Sequence, residues 1–255
     1  MLLSGKCRGI AVKRRTAVVN SGYHPQLTPA CAVPNRLETK MQNIPAARDA
    51  EHAWRQAKQL EQALIELLQQ ALPASGLCTV GKPLTEQQKR GEARSGLCCS
   101  LPLLQKKKRK DTIVAFLNFQ ISLAGDGVPR SGLTGEGEPL GPVLHIAHWT
   151  CEFSFDYDAY VGFPATGWQP WINQAQRLLR WDDSESPFGD EWTYSLRLDA
   201  LSADEGLLRR VVLQPVLALL EGATAQQALP DALPGLVRYV DVPAGDGLQD
   251  LRVQP

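Results

Sequence analysis

The sequence predicts an α+β fold: a mainly antiparallel sheet of about four strands with helices on one face, plus an N-terminal helix on a flexible linker. Three observations predict it. Apolar residues recur every three to four positions over residues 44–72 and 205–220, which is helical spacing. They alternate with polar residues over 111–123 and 191–198, which is strand spacing. The strand-like segments within 111–156 follow one another across a Gly/Pro-rich loop instead of alternating with helices, which argues against a doubly wound parallel sheet.

The elements follow in chain order. Residues 1–42 mix Pro, Ser, Asn and short apolar pieces without a period, so a disordered extension is expected. Their shortage of acids resembles an organellar transit peptide, but no amphipathic helix accompanies it. Met41 stands just before the first periodic segment, so a start at Met41 would leave 1–40 as upstream sequence. Over 43–72 an amphipathic helix is expected, with Asn43 as cap and Pro45 in the first turn. Trp54, Ala57, Leu60, Leu64, Leu67, Leu68 and Ala71 form its stripe, and Pro73 and the following Ala-Ser-Gly end it. Residues 73–110 are polar and aperiodic and are expected to be a basic flexible linker.

An acidic α+β domain is expected over 111–243. Ile113, Ala115, Leu117, Phe119, Ile121 and Leu123 share one strand face; Thr112, Asn118, Gln120 and Ser122 share the other. A second strand is expected over about 143–156, with a bulge where the alternation blurs before Trp149. Residues 168–181 read as a helix, with Trp171, Ala175, Leu178 and Leu179 inward. A third strand points Trp192, Tyr194, Leu196 and Leu198 inward. Ser202 and Glu205 have capping-box spacing ahead of a helix stopped by Gly222, and Pro215 predicts a kink in it. Residues 235–242 predict a short fourth strand, and 244–255 a loose tail.

The 255 residues are 44% hydrophobic, enough for a real core. Formal net charge is zero, but the zero is a cancellation. Residues 1–40 carry seven Lys/Arg against Glu38 alone, and 41–110 carry twelve against six acids. Residues 111–255 carry eight Arg, no Lys and twenty acids. Such asymmetry bears on partners rather than on fold. The apolar start Met1–Leu3 is too short for a secretory core, so the six cysteines are expected to be reduced thiols. No run approaches the ~18 apolar residues of a membrane span. A cytoplasmic protein with no membrane contact is expected.

Four groups are candidate sites. Lys106, Lys107, Lys108, Arg109 and Lys110 concentrate positive potential where phosphate or an acidic surface would dock; they equally serve as charges that keep a sticky strand from aggregating. Trp168, Trp181, Asp182 and Asp183 lie in a stretch holding five of the six tryptophans and many acids. Aromatic anchors inside an acidic rim suit a basic protein partner, or a sugar. His145, His148, Asp156 and Asp158 are the candidate catalytic residues. The two aspartates share strand parity and have acid–base or cation-binding chemistry, whereas the two histidines have opposite parity. Cys98 and Cys99 are adjacent, and no C-x-x-C spacing exists. No cofactor and no metal are expected.

G-x-S-x-G, H-E-x-x-H and G-x-G-x-x-G are missing from the sequence. The leading expectation is therefore a non-enzymatic binding protein whose acidic aromatic domain meets a basic protein, as an inhibitor, immunity-type protein or adaptor does. The alternatives are a metal-dependent hydrolase or nuclease using Asp156 and Asp158 with His145 or His148, and a nucleic-acid binder using the basic 82–110 segment.

Overall fold

The computed structural model describes residues 36–90, 93–107, 110–123, 141–153, 172–181, 191–243 and 249–253. The chain divides into two compact units, Met1–Asp49 and Ala50–Pro255. The described part of the first is helical backbone. The side-chain contacts that follow are those of the second.

Helix α1 runs over Arg36–Ala74, so Asn43 lies inside it rather than capping it. The predicted stripe is the buried one: Trp54, Ala57, Leu60, Leu64, Leu67 and Leu68 are buried, and Leu72 joins them. Glu61 is also buried and answers Lys58 Nζ at 2.6 Å. The helix ends where Ser75 Oγ donates to the Leu72 carbonyl at 2.6 Å and Gly76 adopts φ +77°.

Eight strands form one antiparallel sheet, where about four were expected. They are β1 (Thr79–Val80), β2 (Leu84–Arg90), β3 (Ala93–Lys107), β4 (Lys110–Ser122), β5 (Val143–Trp149), β6 (Ile172–Gln174), β7 (Leu178–Trp181) and β8 (Glu191–Arg197). Their order is β1-β3-β4-β5-β8-β7-β6, with β2 also paired to β3. The expected linker 73–110 is therefore mostly sheet. Its β3 hides in the sequence because Gly96, the adjacent Cys98 and Cys99, and Pro102 interrupt the period. Pro102 is tolerated for a positional reason. β2 pairs with β3 only up to Ser100 and β1 only at Leu103 and Leu104. The missing N–H of Pro102 falls in the gap between them, where Gly81 N–H donates to the Pro102 carbonyl at 2.8 Å.

Residues 168–181 do not supply the expected helix. Their described part is the β6–β7 hairpin, turned by Ala175 (φ 53°) and Gln176 (φ 60°). Tertiary bonds override helix propensity here: Tyr239 N–H donates to the Gln176 carbonyl at 2.8 Å, and Asn173 Nδ2 to the Tyr239 carbonyl at 3.0 Å. β5 stops at Trp149, short of the expected end near Asp156.

After β8 the predicted helix forms, but Asp204 caps it, accepting from Leu207 N–H at 2.7 Å; Ser202 does not. It comprises α2 (Glu205–Leu208), a π-helical turn (Arg209–Leu213) and α3 (Gln214–Leu220). The kink expected at Pro215 takes the form of this wider turn, in which Gln214 N–H reaches the Arg209 carbonyl five residues back. A single turn, α4 (Ala225–Ala228), carries a true capping box between Thr224 and Gln227. β9 (Tyr239–Pro243) pairs with β10 (Gln249–Val253), so the tail expected to be loose contains a strand.

The sheet has two different faces. Leu97, Leu101, Leu103, Leu117, Phe119, Ile121, Leu144, Ile146, Tyr194 and Leu196 point to one side and bury against α1, α2 and α3 in the main core. Each such side chain contributes about 1.5–3 kcal/mol, which is why α1 sits on the sheet instead of on a tether. The opposite face carries Ser100, Asn118, Gln120, Ser122, His145, Thr193 and Ser195, all buried. No helix among the described residues is long and apolar enough to cross a membrane.

Candidate functional site

Of the basic run, Lys106 and Lys107 end β3 and Lys110 opens β4, in the last described pairs of the β3–β4 hairpin. Lys107 pairs with Lys110, Lys106 with Asp111 and Gln105 with Thr112. β5 pairs with β4 only from Phe116 onward, and β1 with β3 only at Leu103 and Leu104. Beyond those points the hairpin strands are hydrogen-bonded only to each other among the described strands. Lys110 stands three positions beyond Ile113, which faces Leu104, so the length free on both edges is about 10 Å at ~3.3 Å per residue. A bulge where Leu103 and Leu104 face Ala115 and Ile113 marks the root of this arm. It breaks the alternation, so Ile113, placed with the core residues by sequence parity, is 48% exposed.

The second site is the polar face. The chain leaving β5 turns back across it. Phe153 N–H donates to Ser100 Oγ at 2.9 Å, and Asn118 Nδ2 donates to the Cys151 carbonyl at 3.1 Å. Phe153 packs edge-on to Trp149 at 5.3 Å and joins Cys98 and Ala147 in a small apolar cluster. Ser100 and Asn118 are thus holding groups for this strap. Further along, Gln120, His145 and Ser195 stand side by side in register across β4, β5 and β8. His145 Nδ1 and Ser195 Oγ are 2.7 Å apart. Burial pushes the Tyr239 hydroxyl far above its ordinary range, against a hydrogen bond with Ser195. The His–Ser spacing is that of a nucleophile and its base. Both side chains, however, are fully buried.

His148 faces the other way, stacked on Trp192 at 5.7 Å, so the two candidate histidines do not converge. Asp156, Asp158, Trp168, Asp182, Asp183, Lys108 and Arg109 lie outside the described residues, and Trp181 is described in backbone only. Among the described residues no three His, Cys, Asp or Glu side chains cluster as a metal site. Cys98 and Cys99 are free thiols on opposite faces, both pushed up to about 12 by burial, so neither is a ready nucleophile.

Sequence reasoning missed three groups: Ser195, Tyr239 and Arg177. Arg177 is buried; its Nη1 donates to the Leu229 carbonyl at 2.6 Å, Nη2 to Asp231 at 2.7 Å and Nε to the Ala175 carbonyl at 3.0 Å. Arg238 also binds Asp231. This double clamp pins residues 229–234 beside a cleft of ≈ 520 Å³ at the π turn, lined among others by Arg210, Gln214, Pro215, Gln227 and Leu233. Two arginines and one aspartate, with Arg177 more than fifty residues ahead of Asp231, gave no local signal of it. Compared with protein-family models, curated proteins and solved structures, the chain matches none.

Proposed function

We propose that this is a non-enzymatic binding protein whose β3–β4 arm grips the phosphate backbone of a nucleic acid. The observation that supports the reading is that Lys106, Lys107 and Lys110 form the last described pairs of a two-stranded ribbon that extends past its neighbouring strands. A ribbon of this width enters a duplex groove about 12 Å wide. Five adjacent cations release counterions on binding phosphate and read no sequence. The twenty acids of residues 111–255 repel the same ligand, which keeps that part of the chain away from it and orients the molecule as it approaches.

The test is fluorescence anisotropy of the full chain with labelled duplex DNA and single-stranded RNA across a salt series. Five phosphate contacts give a log–log salt slope of about −4 to −5 on duplex. Alanine at Lys106, Lys107, Lys108, Arg109 and Lys110 should abolish most binding and flatten the slope, while arginine at the four lysines should preserve both. A wild-type protein that binds neither nucleic acid at low salt, or an alanine variant that binds unchanged, refutes the proposal.

A further inference from the structure

We infer that the cleft beside the π turn is a binding site for a small organic carboxylate with an apolar body. Three observations converge on it. Its volume, ≈ 520 Å³, is that of a small-molecule site. Its far wall is held before any ligand arrives: Pro230 and Pro234 stiffen it, and Asp231 between them is bound by both Arg177 and Arg238. Its near wall is the helix at its irregular turn, and π turns recur at functional sites because the inserted residue re-aims side chains. Arg210 comes from that turn. It is exposed, and no carboxylate pairs with it among the described residues, whereas its neighbour Arg209 is bound to Glu205. Gln214 lines the cleft with it, as does Gln227, whose Oε1 is held by Thr224 so that its Nε2 is the end left to donate, and Pro215, Ala218 and Leu233 supply apolar surface. A guanidinium with two amides over such a floor selects a planar anion on an apolar stem, because the fork binds both carboxylate oxygens. The site uses no residue of the basic arm, so the two proposals stand or fall separately.

The probes are benzoate and hexanoate, titrated into the isotopically labelled full chain and followed by backbone amide shifts. Benzyl alcohol and hexanol are the uncharged controls, and phenyl phosphate tests whether a dianion is preferred. The expected result is saturable shifts at Gln214, Ala218 and Gln227 with the acids, and affinity about 10- to 100-fold weaker for the alcohols and for Arg210→Gln. Ala218→Phe, which fills the cleft without touching the charge, should also abolish the shifts. Equal affinity for acid and alcohol, an unaffected Arg210→Gln variant, or no shift at millimolar ligand overturns the inference. Tighter binding of phenyl phosphate than benzoate overturns the carboxylate assignment.

Discussion

Pro215 sits in the middle of a helix that must still close its hydrogen bonds in a dry interior. In an α-helix its N–H would serve the carbonyl four residues back, that of Val211, and proline has no N–H. The Tyr194 hydroxyl, fully buried on β8, reaches that carbonyl at 3.4 Å and the Val212 carbonyl at 3.5 Å. We read Tyr194 as the donor that makes Pro215 tolerable. Tyr194→Phe removes one hydrogen bond and leaves a buried carbonyl short of a partner. The net value of a neutral bond is about 0.5–1.5 kcal/mol, and an orphaned buried group costs about 1–3. The long distances place the expected cost near the bottom of that span, about 1–1.5 kcal/mol. Pro215→Ala restores a backbone N–H, so in that background the same Tyr194→Phe change should cost about 1 kcal/mol less. Urea unfolding of the four proteins measures the cycle, read at constant m. Equal costs of Tyr194→Phe in both backgrounds would refute the reasoning, because the hydroxyl would then be serving something other than the gap left by proline.

Other outcomes follow from the same contacts. Arg177→Ala should cost about 2–4 kcal/mol, since it strands the Leu229 carbonyl in a buried site, and Arg177→Lys should rescue little because an ammonium lacks the fork; urea midpoints decide. Hydrogen bonds from Arg238 and Arg177 hold the Asp231 carboxyl below its ordinary range, so its contribution is present above that range and lost as pH falls through the lowered folded value. Asp231→Asn should therefore flatten the acid limb of a stability–pH curve by a small amount, the carboxyl being exposed; an unchanged limb contradicts this. Gln176→Gly should stabilise by about 0.5 kcal/mol, the relief of a left-handed residue less the entropy of glycine, seen as a higher melting temperature. Under native conditions a thiol reagent should label Cys78 and Cys151 before Cys98 and Cys99; early labelling of the last two by peptide mapping would contradict their burial.

The period of the apolar residues carried most of what the sequence revealed. It located the stripe of α1, the inward face of β4 and the core residues of β8, because each is uninterrupted for several turns or pleats. It failed where long-range bonds decide the conformation. "WINQAQRLLRW" has helical spacing, yet Asn173 and Gln176 are claimed by Tyr239, more than sixty residues later. β3 was invisible because its glycine, serines and proline are tolerated only by what lies beside them. Polar parity on β4 and β8 read as a wet face, as it does in most antiparallel sheets. Here it is dry, and the strap bonded to Ser100 and Asn118 is one reason. For the candidate sites, the basic run was legible as charge alone, while the clamp around Asp231 joins Arg177 to residues more than fifty positions later and had no local signature.

The change of charge sign at residue 110 looks like a domain boundary and is a hairpin tip. Lys110 and Asp111 are consecutive on β4, and the pairs Leu97–Ile121, Cys99–Phe119, Leu101–Leu117 and Leu103–Ala115 tie the basic side of the chain to the acidic side within one sheet. Leu97, Leu101 and Leu103 enter the same core as Leu64 and Leu68 of α1 and Leu117 and Phe119 of β4. Residues before 111 therefore supply a helix and the long strand β3 to a shared interior, and are not an accessory. A fragment of residues 111–255 would leave the apolar face of β4 open, along with a full edge of unpaired backbone groups. At about 1.5–3 kcal/mol for each buried leucine lost, the deficit exceeds the 5–15 kcal/mol that holds a typical domain together. The fragment should lack a cooperative urea transition and bind a hydrophobic dye, while residues 50–255 should unfold cooperatively. A cooperatively folded 111–255 fragment would mean that the acidic part closes its own core, and the shared interior argued from these pairs would be wrong.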